Sequence, residues 1–276
     1  HRQSSAASDV YKRQTPLPLC CLGRGANMSL EKLIDLAGAA KAGTGDVAFW
    51  DSCTQTFADL GVTGIGYGII PYASDATVRG FTQAGFFRHT YPQDWVTAVE
   101  EQALVDDDIS VELIANGTKE VLWNDASLLD HATEPQQMQS ELENDIGMQF
   151  GASFALNRTP AGQAISGIGL WVSETRTDRE FDLYWQQHRS ALRRLSFAMD
   201  EGIRRDHMSV LVNLTPRERD CLSYLAIGLR PAEICWTLKI SEKTFEKHIK
   251  GAKEKLRAST RDHAVAKSLV LGLIQP

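Results

Sequence analysis

The sequence predicts an α+β chain: an N-terminal α/β/α sandwich with a mostly antiparallel sheet, followed by a four-helix C-terminal domain built on a helix-turn-helix. Three observations predict it. Hydrophobic spacing switches repeatedly between three-and-four and two along residues 28–204. The tail carries a proline-containing capping box, "TPRE", before the first of four short helical stretches. Charge is also uneven: 12 Lys/Arg against 7 Asp/Glu from Leu214 to Pro276 leave the tail at +5 and the rest at −11, out of a formal −6. A basic tail on an acidic body is the footprint of a nucleic-acid-binding module joined to a regulatory domain.

Residues 1–27 have no helical or alternating period, and "DVYKRQ" resembles translated adapter sequence; the native protein is expected to start at Met28, the alternative being a disordered native tail. "SLEKLIDLAGAAKAG" and "DVAFWDSCTQTFADLGV" read as helices, and "GIGYGIIPY" and "ATVRGFTQAGF" as strands. A helix opens after Pro92 and runs through "QDWVTAVEEQALVDDD", with irregular sequence following to Trp123. "PQQMQSELENDIGMQFG" reads as a helix closed near Gly151. "ASFALNR" and "AISGIGLWVSE", joined by "TPAGQ", read as a hairpin, and "REFDLYWQQHRSALRRLSFAMDEGIRR" as one long helix. The expected domains are 28–204 for small-molecule binding, a linker at 205–213, and 214–276 for DNA binding.

In the tail, Thr215 caps a helix that Gly228 stops, "PAEICWTL" is a second helix, "KI" a tight turn, Ser241 caps a third helix and Thr260 a fourth. Short helices joined this way are a helix-turn-helix arrangement. On a helical wheel Phe245, Ile249, Ala252 and Leu256 form one stripe, and Lys243, Lys247 and Lys250 lie opposite. Three outward ammonium groups suit phosphate contacts along a major groove. An ordinary solvated face carries lysines too.

Much chemistry has no motif here. There is no G-x-S-x-G, Walker A or H-E-x-x-H sequence, and the five cysteines show no metal-ligand spacing, so neither catalytic nor metal residues are assigned. His89, His131 and His188 are scattered. The glycines of "ISGIGLW" do not open a helix after a strand, which argues against a nucleotide site. No run approaches the roughly 18–20 apolar residues that span a bilayer, and no signal peptide is apparent, so a cytoplasmic protein without membrane contact is expected.

"LTPRERDCLSYLAIGL", the Ile234 and Leu238 positions, and "SEKTFEKHIKGAKEKL" closely resemble the DNA-binding domain of LuxR-type transcription regulators. Glu218, Leu222, Gly228, Ile234, Leu238, Ser241, Thr244, His248, Lys255 and Leu256 all fall in register with its pattern. The resemblance implies that Lys243, Thr244, Lys247 and Lys250 face double-stranded DNA, while Glu218 and His248 are structural. Three departures are notable: Arg230 stands for the usual Ser/Thr cap, Lys239 for a frequent Gly, and Gly251 interrupts the third helix.

Upstream, Tyr91, Trp95, Asp108, Trp123 and Gly151 match the spacing of the acyl-homoserine-lactone pocket in the same family, which extends the resemblance over nearly everything after Met28. It implies that Trp95 donates to the lactone carbonyl, Asp108 accepts from the amide N–H, Tyr91 donates to the amide carbonyl and Trp123 packs on the ring. Those residue types suit the task. Val99 stands where the family has a second Tyr, enlarging the apolar wall, and Asp106 and Asp107 leave the Asp register open. A phosphoacceptor receiver is disfavoured, since Met28 onward opens with helices.

The implied function is a non-enzymatic quorum-sensing regulator with no cofactor beyond its lactone signal. It would bind a palindromic operator as a homodimer and act with RNA polymerase. The alternative is a solo regulator of this type that answers to another molecule or to none.

Overall fold

A computed structural model describes residues 46–70, 85–101, 107–158 and 165–275. The expected leader, the helix at 29–43, most of the strand at 76–86 and the "TPAGQ" turn lie outside them. Helix α1 (Asp46–Asp59) buries Phe49, Trp50, Cys53 and Phe57, apolar positions at helical spacing. Strands β1 (Gly64–Ile70), β2 (Phe86–His89), β3 (Glu120–Leu122), β4 (Gly151–Arg158) and β5 (Ile165–Trp171) form one antiparallel sheet in the order β2-β1-β5-β4-β3. Gly64 pairs with Trp171 and Ile70 with Ile165, and the β4–β5 hairpin pairs Gly151 with Trp171.

The period of two splits this sheet into unlike faces. Ile65, Tyr67 and Ile69 of β1, Phe154 of β4, and Ile168 and Leu170 of β5 are buried in the main core with α1 and the long helix α5 (Asp178–Asp206). There the Tyr67 hydroxyl donates to Asp200 Oδ1 at 2.7 Å, and Arg204 reaches the same oxygen at 3.1 Å. The opposite face presents Gly66, Gly151 and Gly169. It is covered by α2 (Gln93–Glu101), α3 (Ile109–Ala115) and α4 (Glu134–Asp145).

Several expectations are corrected. Among the described residues, the strand that pairs with Gly66–Ile69 of β1 is Phe86–His89, which starts at the last residue of the expected 76–86 segment. The segment read as irregular up to Trp123 holds α3 and β3, whose Ile114 and Val121 join Ile165 in a small satellite core. The helix begun after Pro92 is described only to Glu101, and Asp108 caps a separate helix instead of continuing it. Helix α4 ends at Asp145, well before Gly151, with Gly147 at φ +80 beyond it. The expected linker is packed: it carries a 3₁₀ turn (Met208–Val210), Met208 and Val212 are buried, and His207 stacks on Phe49 with ring centroids 4.2 Å apart.

The tail folds as α6 (Pro216–Ala226), α7 (Pro231–Leu238), α8 (Glu242–Lys255) and α9 (Arg261–Val270). Thr215 and Glu218 form the reciprocal cap: the Thr215 N–H donates to Glu218 at 2.8 Å and the Glu218 N–H to Thr215 Oγ1 at 3.3 Å. The departures from the family pattern now have physical accounts. At Arg230 the backbone N–H is taken by Glu233 at 2.7 Å, so capping comes from the third residue of the helix. Lys239 adopts φ +53, the left-handed conformation that glycine reaches without strain.

Gly251 makes room for the buried Glu218 carboxylate of an ion pair whose other partner, Lys255, is exposed. A Cβ there would lie 2.6 Å from Glu218 Oε1, while Glu218 Oε2 holds both the Thr215 N–H and Lys255 Nζ, each at 2.8 Å. Burial pushes the Glu218 carboxyl up, but the Lys255 ammonium and the Thr215 N–H outweigh it and hold it below the usual carboxylate range. The expected result of Gly251→Ala follows: the gain of about 1 kcal/mol in helix propensity is cancelled by displacement of Glu218, and thermal unfolding shows no increase in Tm. A rise of several degrees would refute the pairing of Gly251 with Glu218.

Candidate functional site

Tyr91, Trp95, Asp108 and Trp123, four residues spread over 33 positions, line one cavity of about 250 Å³ between the glycine-rich face of the sheet and α2, α3 and α4. That is close to the roughly 300 Å³ at which small-molecule sites begin. Larger hollows, such as the groove along α5 lined by Arg189, Arg193 and Phe197, are open to solvent and lack this convergence.

The Tyr91 and Trp123 rings that line the cavity rest in turn on glycine backbone. A Cβ at Gly66 or Gly169 would come within 2.7 or 2.8 Å of the Tyr91 hydroxyl, and one at Gly151 would collide with the Trp123 ring. The glycines of β1, β4 and β5 are therefore what lets two aromatic rings lie flat against the sheet. Tyr91 donates to Gly169 O at 3.3 Å and meets Trp95 edge to face, centroids 5.1 Å apart. Trp123 is held by an indole N–H bond to Ser153 Oγ at 2.8 Å.

Asp108 has two oxygens and two tasks. Its Oδ1 accepts from the Val111 N–H at 3.1 Å and so caps α3. The residue lines the cavity; burial drives its carboxyl upward, opposed by backbone bonds from Val111 and Ser110. Asp107 lines the cavity as well, whereas Asp106 lies outside the described residues. Val99 is buried but is not part of the lining, so its expected effect on the apolar wall is corrected.

Two lining residues, Glu143 and Gln139, escaped the sequence reading. They sit one helical turn apart on α4, a helix whose composition is so polar that its inward face looks like a solvated one. The only signal was their i, i+4 spacing with no basic partner on the helix. Glu143 Oε1 accepts from the Trp95 indole N–H at 3.3 Å and from Gln139 Nε2 at 3.0 Å. Burial and the neighbouring Asp108 charge raise the Glu143 carboxyl well above its ordinary value, against the lowering effect of those two bonds. Burial, then Asp108 and Glu143, push the Tyr91 phenol up in turn, so it stays a donor.

On the other domain, α8 presents Lys243, Lys247 and Lys250 fully exposed and Thr244 partly so, while Phe245, Ile249 and Ala252 are buried beneath. Its N-terminus is capped by Ser241, whose Oγ accepts from the Thr244 N–H at 3.1 Å. Lys250 lies 3.9 Å from Glu254, an exposed pair.

A cavity-bearing α/β/α domain joined to a helix-turn-helix defines a class: sensor and DNA-binding module in one chain. Residues 46–201 match the family described as autoinducer binding domain, and residues 212–268 match the bacterial regulatory proteins of the luxR family. The chain belongs to the LuxR family of regulators, which are transcription factors and not enzymes.

Among relatives, VjbR of Brucella ovis, a quorum sensing-dependent transcriptional regulator, is 44% identical over 70 residues, 25% of this chain and 27% of that protein. The match thus spans about a quarter of that relative's length. VanR of Vibrio anguillarum, a transcriptional activator, is 27% identical over 191 residues, covering 67% of this chain and 76% of VanR. The crystal structure of Escherichia coli SdiA aligns with a TM-score of 0.47 at 19% identity, covering 89% of this chain and 99% of SdiA. Among the described residues no cluster of His, Cys, Asp or Glu could hold a metal ion, and no helix is long and apolar enough to cross a membrane.

Proposed function

We propose that this chain is a ligand-responsive transcription regulator that holds an N-acyl amide signal of the acyl-homoserine-lactone class in the sensor cavity. The observation that carries the reading is the convergence of Tyr91, Trp95, Asp108 and Trp123 on a single cavity, with two of those rings seated on the sheet's glycines. On binding, the Tyr91 hydroxyl turns from Gly169 O to the amide carbonyl and the Trp95 indole N–H turns from Glu143 Oε1 to the head-group carbonyl, while the Asp108 oxygen that does not cap α3 takes the amide N–H and Trp123 packs against the head group. Ligand that binds only the folded sensor stabilises it by mass action and favours a dimer whose two α8 helices meet the half-sites of a palindromic operator. The protein acts in the cytoplasm, with RNA polymerase as its downstream partner.

Mass spectrometry of small molecules copurified from cells supplied with a panel of acyl-homoserine lactones tests the sensor half; an empty cavity across the panel sinks it.

For the DNA half, Lys243, Lys247 and Lys250 bind phosphate and Thr244 lies within reach of base edges. Removing one phosphate contact reduces the slope of log K against log salt by about 0.9. Lys247→Ala is therefore expected to weaken binding to every sequence alike and to lower the slope by roughly one unit. An unchanged slope takes Lys247 out of the interface.

The second reading, a solo regulator answering to a different small molecule, is favoured by one observation: Glu143 and Gln139 add acceptors to the cavity that a lactone ring cannot satisfy.

A further inference from the structure

The reading above fills every donor that a lactone needs, yet the cavity holds more acceptors than a lactone can use. An N-acyl homoserine lactone has one N–H donor, at its amide, and Asp108 takes it. Its ring carries only acceptors. Beside Trp95, where the ring would lie, the cavity nevertheless offers the Glu143 carboxylate. Gln139 lines it as well, and just behind the lining its buried Oε1 has no hydrogen-bond partner, in a side chain only 4% exposed. The Gln139 orientation is fixed, because its Nε2 donates to Glu143 at 3.0 Å; flipping the amide would set two oxygens against each other. A buried acceptor left without a donor destabilises the site.

The asymmetry is sharpest at Glu143. Its Oε1 already accepts two N–H bonds, from Trp95 and Gln139, while no hydrogen bond reaches its Oε2 from the described residues. The Asp108 carboxylate lines the same cavity, and its charge adds to burial in raising the Glu143 carboxyl's preference for a proton or a donor. An O–H or N–H placed between Glu143 and Gln139 would answer both needs. A ring ester oxygen or carbonyl there would answer neither.

We propose that the cognate ligand is an N-acyl compound whose head group carries its own hydrogen-bond donor, a hydroxyl or an N–H, which Glu143 and Gln139 together receive. This rests on the sensor reading above and narrows its ligand class: Glu143 and Gln139 become specificity-determining residues that select a donor head group over the plain lactone. One ring atom separates the alternatives in the simplest test pair, since a lactam replaces the ring oxygen of a lactone by N–H at nearly constant shape.

The test is calorimetric titration of the full chain with N-octanoyl homoserine lactone, N-octanoyl homoserine lactam and N-octanoyl-2-aminocyclopentanol, repeated on Glu143→Gln and Glu143→Ala. At least one donor-bearing ligand is expected to bind the wild type tenfold or more tighter than the lactone. Glu143→Ala is expected to erase that preference. Glu143→Gln keeps an acceptor for Trp95 and Gln139 but puts an NH₂ group where the ligand's donor would lie, so it too is expected to lose the preference with the helix intact; circular dichroism and Tm confirm that both variants fold.

If the lactone binds as tightly as the donor-bearing ligands, or if the preference survives Glu143→Ala, the inference is overturned while the sensor reading stands. If none of the three binds, the sensor reading fails and the inference with it.

Discussion

Asp108→Asn is expected to abolish ligand-dependent reporter activation while leaving the fold and the DNA-binding tail intact. The two oxygens of Asp108 make this a clean experiment. Oδ1 caps α3 through the Val111 N–H, and asparagine caps as well as aspartate does, so one oxygen's task survives the substitution. The other oxygen becomes an NH₂ group. Where the proposed ligand presents its amide N–H, donor then meets donor, and the loss is that of a charge-assisted bond, about 1.5–3 kcal/mol, plus the cost of an unpaired group. The dose-response curve is expected to shift by at least 100-fold or vanish, with Tm within a degree or two of the parent. Asp108→Ala serves as the contrast: it removes both functions, and Tm falls as well. A normal dose response in Asp108→Asn would remove Asp108 from the ligand's partners.

The largest stability effect is expected at Asp200. Its Oδ1 receives the hydroxyl of Tyr67, which is 0% exposed, and the guanidinium of Arg204. Arg204 also reaches Ser166 Oγ at 3.3 Å, so one carboxylate ties α5 to both β1 and β5. Asp200→Ala leaves a buried phenol and a largely buried cation without their acceptor, costing about 2–4 kcal/mol. At roughly 2–4 °C per kcal/mol for a chain of this size, Tm is expected to drop by roughly 4–16 °C in calorimetry. Asp200→Asn, which keeps an acceptor oxygen, should lose about half as much. A change below about 2 °C in Asp200→Ala would mean the network contributes little to holding the long helix on the sheet.

What could be read from the sequence follows where local physics is decisive. The four tail helices are marked by Thr215, Pro216, Gly228, Ser241 and Thr260, each a cap or a stop whose preference is intrinsic to the residue. The β4–β5 hairpin and α5 carry long, strong periods. By contrast α3 and β3 span seven and three residues, too short to show a period, and owe their existence to Ile114 and Val121 meeting Ile165 across the fold. Their start signal, Asp108, was hidden in a run of three aspartates.

The cavity divides the same way. Its aromatic residues were legible through their family spacing, and the structure brings all four expected lining residues together. Glu143 and Gln139 were not legible, because a polar helix face turned inward is indistinguishable in sequence from one turned to water. The glycines of "SGIGLW" were read only as failing to make a nucleotide loop, and those of "GIGYG" only as part of a strand. Their use depends on strand pairing, which aligns Gly66 with Gly169 and Gly151 with Trp171.

Arg257, at the end of α8's capping turn, holds φ +50, donates to Gly85 O at 2.6 Å and lies over the Phe86 ring. The strand it grips runs Phe86–His89, and two residues later the chain reaches Tyr91 on the cavity wall. Beside the packed segment at 207–213, this strand is therefore a second connection between the domains, four residues long, with Arg257 of the DNA-binding module at one end and the cavity wall just past the other.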